Sequence, residues 1–251
     1  MRTKLAACLA GFLMVAGLAT AQKKVSKKEY DAFMAIQNAT TAQDRIKAVD
    51  NFVTSFADSQ LKSTALYLAA DAAQRMGDSA KAIAYGNDAI EADPKNFDAM
   101  LVVSGELARG TRENDLDKDE KLARATKLSN DALNIIQTAP KPNPNLPDDK
   151  WEAYKKDATA QAHSNLGLIA MVQKKYDVAA NEFKTAVDNS ATPDPSTMVR
   201  LATAYDEMGK YDDGIAELNK VLATPNLNPV VQKFATNEKA RAEQLKAKNG
   251  K

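Results

Sequence analysis

Apolar and small residues recur along this chain at intervals of three and four, the period of a helix that buries one face. Tyr30, Phe33, Met34 and Gln37 fall at that spacing, the polar run Asn38 to Thr41 interrupts it, and Ile46, Val49, Phe52, Val53 and Phe56 resume it. The next pair of helices is sharper: Ala69-Ala70 lie on the first, Met76-Gly77-Asp78 make the turn, Ala82, Tyr85 and Ala89 lie on the second, and Asp93-Pro94 ends it. Gly77 can take the positive φ of a tight turn, the alanines let helix backbones approach, and Pro94 cannot continue a helix.

From Phe97 a third pair carries Val103-Ser104 on one helix and Ala125 and Ala132 on the other. Its turn is lengthened by a polar, acidic insertion over 110–121. Four prolines (Pro140, Pro142, Pro144, Pro147) then force extended backbone, after which Asp148 or Asp149 can cap a new helix. Trp151, Tyr154, Ala158, Ala162, Leu166 and Ile169 predict one long helix from about Asp149 to Val172, with Trp151 and Tyr154 overhanging its start. At the far end, Asn228-Pro229 opens an amphipathic helix whose apolar face is read as Val231, Phe234, Ala235, Ala242 and Leu245.

Two stretches nearly repeat each other: Ser164 to Asp188, and Val199 to Ala223. Leu166 matches Leu201, Gly167 matches Ala202, Tyr176 matches Tyr211, Ala179 matches Gly214, Phe183 matches Leu218 and Ala186 matches Val221, each 35 residues apart. Self-similarity at about this period is the signature of a helix-turn-helix solenoid. Gly209 repeats the turn position of Gly77, and Lys174 occupies it in the intervening copy. These residues resemble the tetratricopeptide repeat: Leu-Gly early in the first helix, a tight turn, then Tyr, Ala, a bulky residue and Ala on the second. The ending Phe52 to Phe56 followed by Ala57-Asp58-Ser59 is similar to the hinge of repeats in bacterial envelope proteins.

The resemblance implies an all-α, right-handed superhelical solenoid of antiparallel hairpins. The expected hairpins cover about 26–58, 63–96, 97–138 with the insertion, 149–190 and 195–224, followed by a capping helix over 229–247. They are taken as a single domain over 22–250. The resemblance further implies a concave groove lined by the first helix of each hairpin, with Asn165, Leu168, Met171, Val199 and Arg200 on it. Asn165 and Arg200 match two positions of the family's carboxylate clamp, while Leu101, Gly105 and Ser196 depart from it. Arg200 has an alternative, an ion pair with Asp206 or Glu207 on its own helix.

Composition adds bounds. The 251 residues are 44% hydrophobic and 27% charged, an ordinary soluble balance, and 10 glycines and 9 prolines leave room for much helix. A net charge of +1 provides no overall basic field for nucleic acid. Arg2 and Lys4, the apolar run Leu5 to Leu18, and Ala19-Thr20-Ala21 predict a signal peptide over 1–21, cleaved before Gln22. Leu5 to Cys8 reads formally as a lipobox, yet only three apolar residues separate Lys4 from Cys8, so the cysteine is expected to leave with the leader. The mature chain then carries no cysteine, no integral membrane span and no disulfide.

Candidate chemistry is sparse. The one histidine, His163, is placed on a packing face, and no G-x-S-x-G, phosphate-binding loop, H-E-x-x-H or C-x-x-C is present. Asp115, Asp117 and Asp119 start like a calcium loop, but Glu120 stands where glycine is needed and Thr126 where a glutamate belongs. The acidic stretch 112–120 is therefore read as solvated loop, with Asp115 or Asp119 capping a helix near Lys121. No cofactor, metal or catalytic residue is assigned. The expected function is a non-catalytic scaffold or adaptor of the cell envelope, exported to the periplasm or outside, binding a protein or peptide partner. A subunit of an outer-membrane or envelope assembly complex is the alternative, and a hydrolase or metal-dependent enzyme is the alternative of another class.

Overall fold

The computed structural model describes residues 25–190 and 192–249; the leader, its cleavage site and Cys8 lie outside them. Among the described residues there are eleven α-helices and no strand. The chain divides into two compact units, the first holding residues up to Gly110 together with Asn130–Lys155, the second Thr111–Ser129 with the residues from Lys156 on. Each is taken by itself.

The first unit contains α1 (Lys27–Asn38), α2 (Ala42–Ser55), α3 (Lys62–Arg75), α4 (Ser79–Ala92) and α5 (Phe97–Gly110), and it includes the later part of α6 (Lys118–Thr138) and the start of α7 (Asp148–Val172). Local chemistry sets the ends. Ser26 and Glu29 form a capping box on α1, Thr41 caps α2 and Asp78 caps α4, each satisfying backbone donors that the first turn leaves orphaned. The Arg45 guanidinium donates to the carbonyls of Ile36 and Ala39, closing the other end of α1.

The core of this unit mixes aromatics with alanine. Phe33 and Phe52 meet edge to face at 5.9 Å between Ile36, Val49, Leu61 and Leu66. On α3, Ala65, Ala69, Ala70, Ala72 and Ala73 are all fully buried, so much of the surface its neighbours pack against is backbone and methyl groups, with Leu66 and Leu68 beside them. Glu106 is a charged residue buried in this unit at 6% exposure, accepting from Gln74, Ser79 and Arg109. Burial would raise its carboxyl, but those three donors outweigh it and hold the group below the ordinary range.

Trp151 and Tyr154 are built into this unit rather than overhanging it. Trp151 is 6% exposed and stacks on Tyr154 with centroids 5.6 Å apart. The Tyr154 hydroxyl donates to Asp98 in the first turn of α5 at 2.6 Å.

The second unit comprises the earlier part of α6, the remainder of α7, and α8 (Tyr176–Asn189), α9 (Pro195–Glu207), α10 (Tyr211–Leu222) and α11 (Pro229–Asn249). Phe183, Leu201, Ala170, Ala179, Ala180 and Ala204 form one buried cluster; Met198, Ala202, Leu218, Val221 and Ala235 form another. The insertion is shorter than expected, because α6 begins at Lys118 instead of near Lys121. Asp119 and Glu120 therefore stand in its first turn, where the helix dipole favours anions. Asp115 accepts from the Arg112 backbone N–H at 3.0 Å and turns the loop in front of the helix.

The inter-helix turns follow the sequence register closely. Gly77 and Gly209 have φ of +75° and +74°, and Lys174 adopts +59° in the same place. Each turn is closed by the same bond, from Asp78 to Ala73, from Lys210 to Tyr205 and from Lys175 to Ala170. This is the Schellman arrangement, which satisfies an orphan carbonyl and needs a left-handed residue. Lys174 accepts the conformation that glycine takes in the other two turns.

Candidate partner-binding face

In the second unit, α7 and α9 are the first helices of successive hairpins, and α11 follows α10 in the corresponding place. Asp194 caps α9 and Pro195 follows it; Asn228 and Pro229 repeat the pair ahead of α11, with Asn228 accepting from the Val230 backbone N–H at 2.8 Å. The helix expected as a cap thus stands at the register of a first helix. Phe234 falls where Arg200 stands in α9, and Val230 falls where Ser196 stands.

The five residues expected on the groove are only partly accessible. Asn165 is 3% exposed and engaged with other groups, which corrects its expected outward orientation. Its neighbour Leu166, expected in the core, is half-buried, whereas Leu201 in the next copy is 1% exposed. Leu168 and Met171 are half-buried against the Phe183 cluster, and Val199 is half-buried against the Met198 cluster, so the apolar floor is largely inter-helix packing. Arg200 is half-buried and also engaged. Its anticipated partners are occupied differently: Glu207 pairs with Arg241, and neither carboxylate oxygen of Asp206 has a hydrogen-bond partner. Ser164 and Thr197, on adjacent first helices, share a hydroxyl–hydroxyl bond of 3.1 Å. Of the other two clamp positions with side chains, Leu101 is 2% exposed and Ser196 is half-buried.

The face opens on α11. Phe234 is 65% and Val230 62% exposed, on the same side of the helix one turn apart. The apolar face read from periodicity is accordingly wrong at Phe234. Ala235 and Ala242 are the residues that reach 0% exposure and seat the helix, and Phe234, one position before Ala235, is rotated about 100° away from the seam. Basic groups further along are committed: Arg241 to Glu207 and Glu238, Lys246 to Asp212, Lys239 to Glu243. The sequence signal that places Phe234 on this face is the second Asn/Asp-Pro pair, 34 residues after the first.

Elsewhere several polar groups pair with one another. His163 Nδ1 lies 2.7 Å from Glu182 of α8, with both side chains 22% exposed. The Lys121 ammonium lies 2.9 Å from Asp117 and 3.8 Å from Asp115, so a lysine already faces the two leading carboxylates of the calcium-like stretch. A shallow recess of about 300 Å³ beside the insertion is lined by Thr111, Glu113, Met171, Val172, Lys174, Tyr176 and Glu207, with Lys174 and Glu113 paired at 2.5 Å across it. In the first unit, burial pushes the Asp98 carboxyl up to about 6; the Tyr154 hydroxyl bond opposes that rise and nearby Asp71 adds to it. Among the described residues no three His, Cys, Asp or Glu side chains gather as a metal site, and no helix is long and apolar enough to cross a membrane.

Comparison with known proteins bears on the fold. No protein of curated function matches the sequence. A thermophilic TPR protein of Thermus thermophilus superposes with a TM-score of 0.56 at 19% identity, over 78% of this chain and 90% of its own. A MamA RS-1 ArsTM double mutant superposes at 0.52 and 12% identity, over 90% of this chain and 98% of its own. Family models for the tetratricopeptide repeat match residues 63–96, the α3–α4 hairpin, and residues 196–226, the α9–α10 hairpin. These matched hairpins are the ones whose turns carry Gly77 and Gly209, one in each compact unit. The chain therefore carries tetratricopeptide repeats, one matched in each compact unit, and this repeat architecture supports a protein–protein interaction scaffold.

Proposed function

We propose that the protein is an exported, non-catalytic scaffold of the cell envelope that takes a segment of a partner protein on the face running from α9 onto α11. The observation that carries this reading is the exposure of Phe234 and Val230 at the register positions of Arg200 and Ser196. Large apolar side chains that stay exposed together mark interaction surfaces more often than chance solvent contact. Lys233, exposed beside them, adds a positive charge to the apolar pair, so the matching segment carries a large apolar side chain next to a carboxylate. Export rests on the leader pattern of residues 1–21.

A photo-crosslinking residue in place of Phe234 in the exported protein tests the face, with the same residue in place of exposed Lys184 on α8 as control. A discrete adduct at 234 and none at 184, lost when Val230 is also changed to Asp, is expected. Adducts at neither position, or equal adducts at both, would move the site elsewhere. Mass spectrometry of the mature protein should give Gln22 at the N-terminus, and a chain retaining Met1 would remove the export reading.

A further inference from the structure

Asp206 is the most unusual polar group of the second unit. It lies in the last turn of α9, is 3% exposed, and neither of its carboxylate oxygens has a hydrogen-bond partner. Its carboxylate fills the space over Gly214 of α10 so fully that a Cβ there would collide with Oδ1 and sit 3.1 Å from Cγ. The position matching Gly214 in the preceding hairpin is Ala179. Glycine is thus needed here for the carboxyl to be covered at all.

Three physical effects act against a negative charge in this place. Burial removes water, the C-terminal end of α9 presents the negative pole of its dipole, and Glu238 of α11 faces the group. Arg241, also on α11, attracts it, but its guanidinium donates to Glu207 and Glu238. Glu207 on α9 itself adds repulsion, and the Lys184–Asp188 pair of α8 acts on the neighbouring Tyr205 instead. From α10 the contact is Gly214, and Asp212 beside it is paired with Lys246.

Of the elements covering the carboxyl, α11 is the one that can give way. It is seated through the small residues Ala235 and Ala242, half-buried Val231 and half-exposed ion pairs, whereas α10 is locked by the fully buried Leu218 and Val221. We propose that Asp206 ties the docking of α11 to a proton: with the carboxyl neutral the helix is seated on α9 and α10, and with the carboxyl ionised it loosens so that water reaches the charge. Burial and Glu238 push the group up to about 6, which places the transition between mildly acidic and neutral pH.

The sign follows from linkage. A carboxyl whose folded value is raised above its unfolded one, about 3.9, supports the docked state fully below that lower value and loses this support as pH rises through about 6. Between pH 5 and pH 7.5 the docking equilibrium should weaken about tenfold. The device belongs to the free protein and holds whether or not a partner uses α11.

Residue-resolved hydrogen exchange on the full chain, corrected for intrinsic rates, tests it at those two pH values. The α11 amides should lose about tenfold more protection than the α8 amides on going to pH 7.5, and Asp206→Asn should remove that difference. His163 and Asp98 are the same in both proteins, so the contrast isolates Asp206. Glu238→Gln should keep the transition and move its midpoint to lower pH. Loss of protection in α11 no greater than in α8, or an Asp206→Asn protein with the original pH dependence, would overturn the proposal. Should Asp206→Asn fail to fold, carbon-13 titration of the Asp206 carboxyl in the unaltered protein decides: a midpoint near 6 shared with α11 signals supports it, and a midpoint near 3.9 overturns it.

Discussion

Gly167 offers the sharpest test of how closely these helices approach. It lies in the interior of α7, and a Cβ built on it would meet ring carbons Cδ1 and Cε1 of Phe183 at 2.6 Å and Cζ at 2.9 Å. The ring has no free side to move to: Phe183 is fully buried in a cluster with Ala179, Ala180, Leu201 and Ala204. Two effects of Gly167→Ala oppose each other. Replacing glycine in a helix interior gains about 1 kcal/mol of helix propensity, while overpacking a closed core loses about 1–3 kcal/mol. The net expectation is destabilisation of about 1 kcal/mol, or a few degrees in Tm for a chain of this size. The discriminating step is to repeat the substitution in a Phe183→Leu background. There the ring is gone, only the propensity gain remains, and the sign should reverse to about 1 kcal/mol of stabilisation, a coupling of about 2 kcal/mol. Urea titrations followed by circular dichroism, compared at constant slope, measure all four corners of the cycle. A Gly167→Ala protein that is more stable in both backgrounds would refute the close approach of α7 and α8.

The same packing logic extends to the alanines at helix crossings and to the turns. Ala82 and Ala179 are fully buried and Ala186 is 3% exposed, so each change to Leu should lower stability by about 1–3 kcal/mol in thermal melts. Lys184→Ala loses only a half-exposed pair with Asp188, worth a few tenths of a kcal/mol, and equal melts for the two groups would mean that the repeat register is wrong. Lys174→Gly removes a left-handed non-glycine residue, worth about 1–2 kcal/mol, at the expense of a surface ion pair with Glu113 worth about 0–1 kcal/mol. It should leave the melting temperature level or raise it, and a clear fall would show that the ion pair, not the turn, dominates that corner.

Much of the hairpin geometry is legible in the sequence because it depends on local rules. A turn needing positive φ betrays itself by glycine at 77 and 209, and the 35-residue match to the copy containing Gly209 then identifies Lys174 as the third such residue. Small residues at 35-residue spacing mark close crossings for the same reason. Depth of burial is less legible. Asn165 sits at a register position read as facing the groove, yet is 3% exposed, because periodicity fixes the side of a helix and says nothing of how closely the next helix stacks over it. Trp151 and Tyr154 escape the pattern for a related reason: the helical period shows that they precede the repeat, whereas Tyr154, on which Trp151 stacks, meets Phe97 and Asp98 from a hairpin some fifty residues earlier. The start of α6 is hidden because acidic residues serve equally well as loop, cap and first turn.

The polar contacts carry the period as plainly as the apolar ones do. In a solenoid each repeat touches only its neighbours, so bonds between repeats should join residues about one period apart. Asn96 bonds Ser63 and Ser190 bonds Asp157 across 33 residues, Arg241 bonds Glu207 and Lys246 bonds Asp212 across 34, and Tyr85 bonds Asp50 across 35. Two of these five tie α11 to the preceding hairpin, which is why α11 behaves as a repeat helix and not as an appended tail. Its sixth position is then comparable with those of α7 and α9, and the exposure there rises from 3% at Asn165, through half-burial at Arg200, to 65% at Phe234. The physical reason is the number of neighbours. α7 is bonded to the first helix after it through Ser164 and Thr197, α9 has α11 beside it, and among the described residues no helix stacks beyond α11. A groove position is covered in proportion to what packs next to it, and Phe234, against which no described helix stacks on that side, is where an apolar side chain on that face stays exposed.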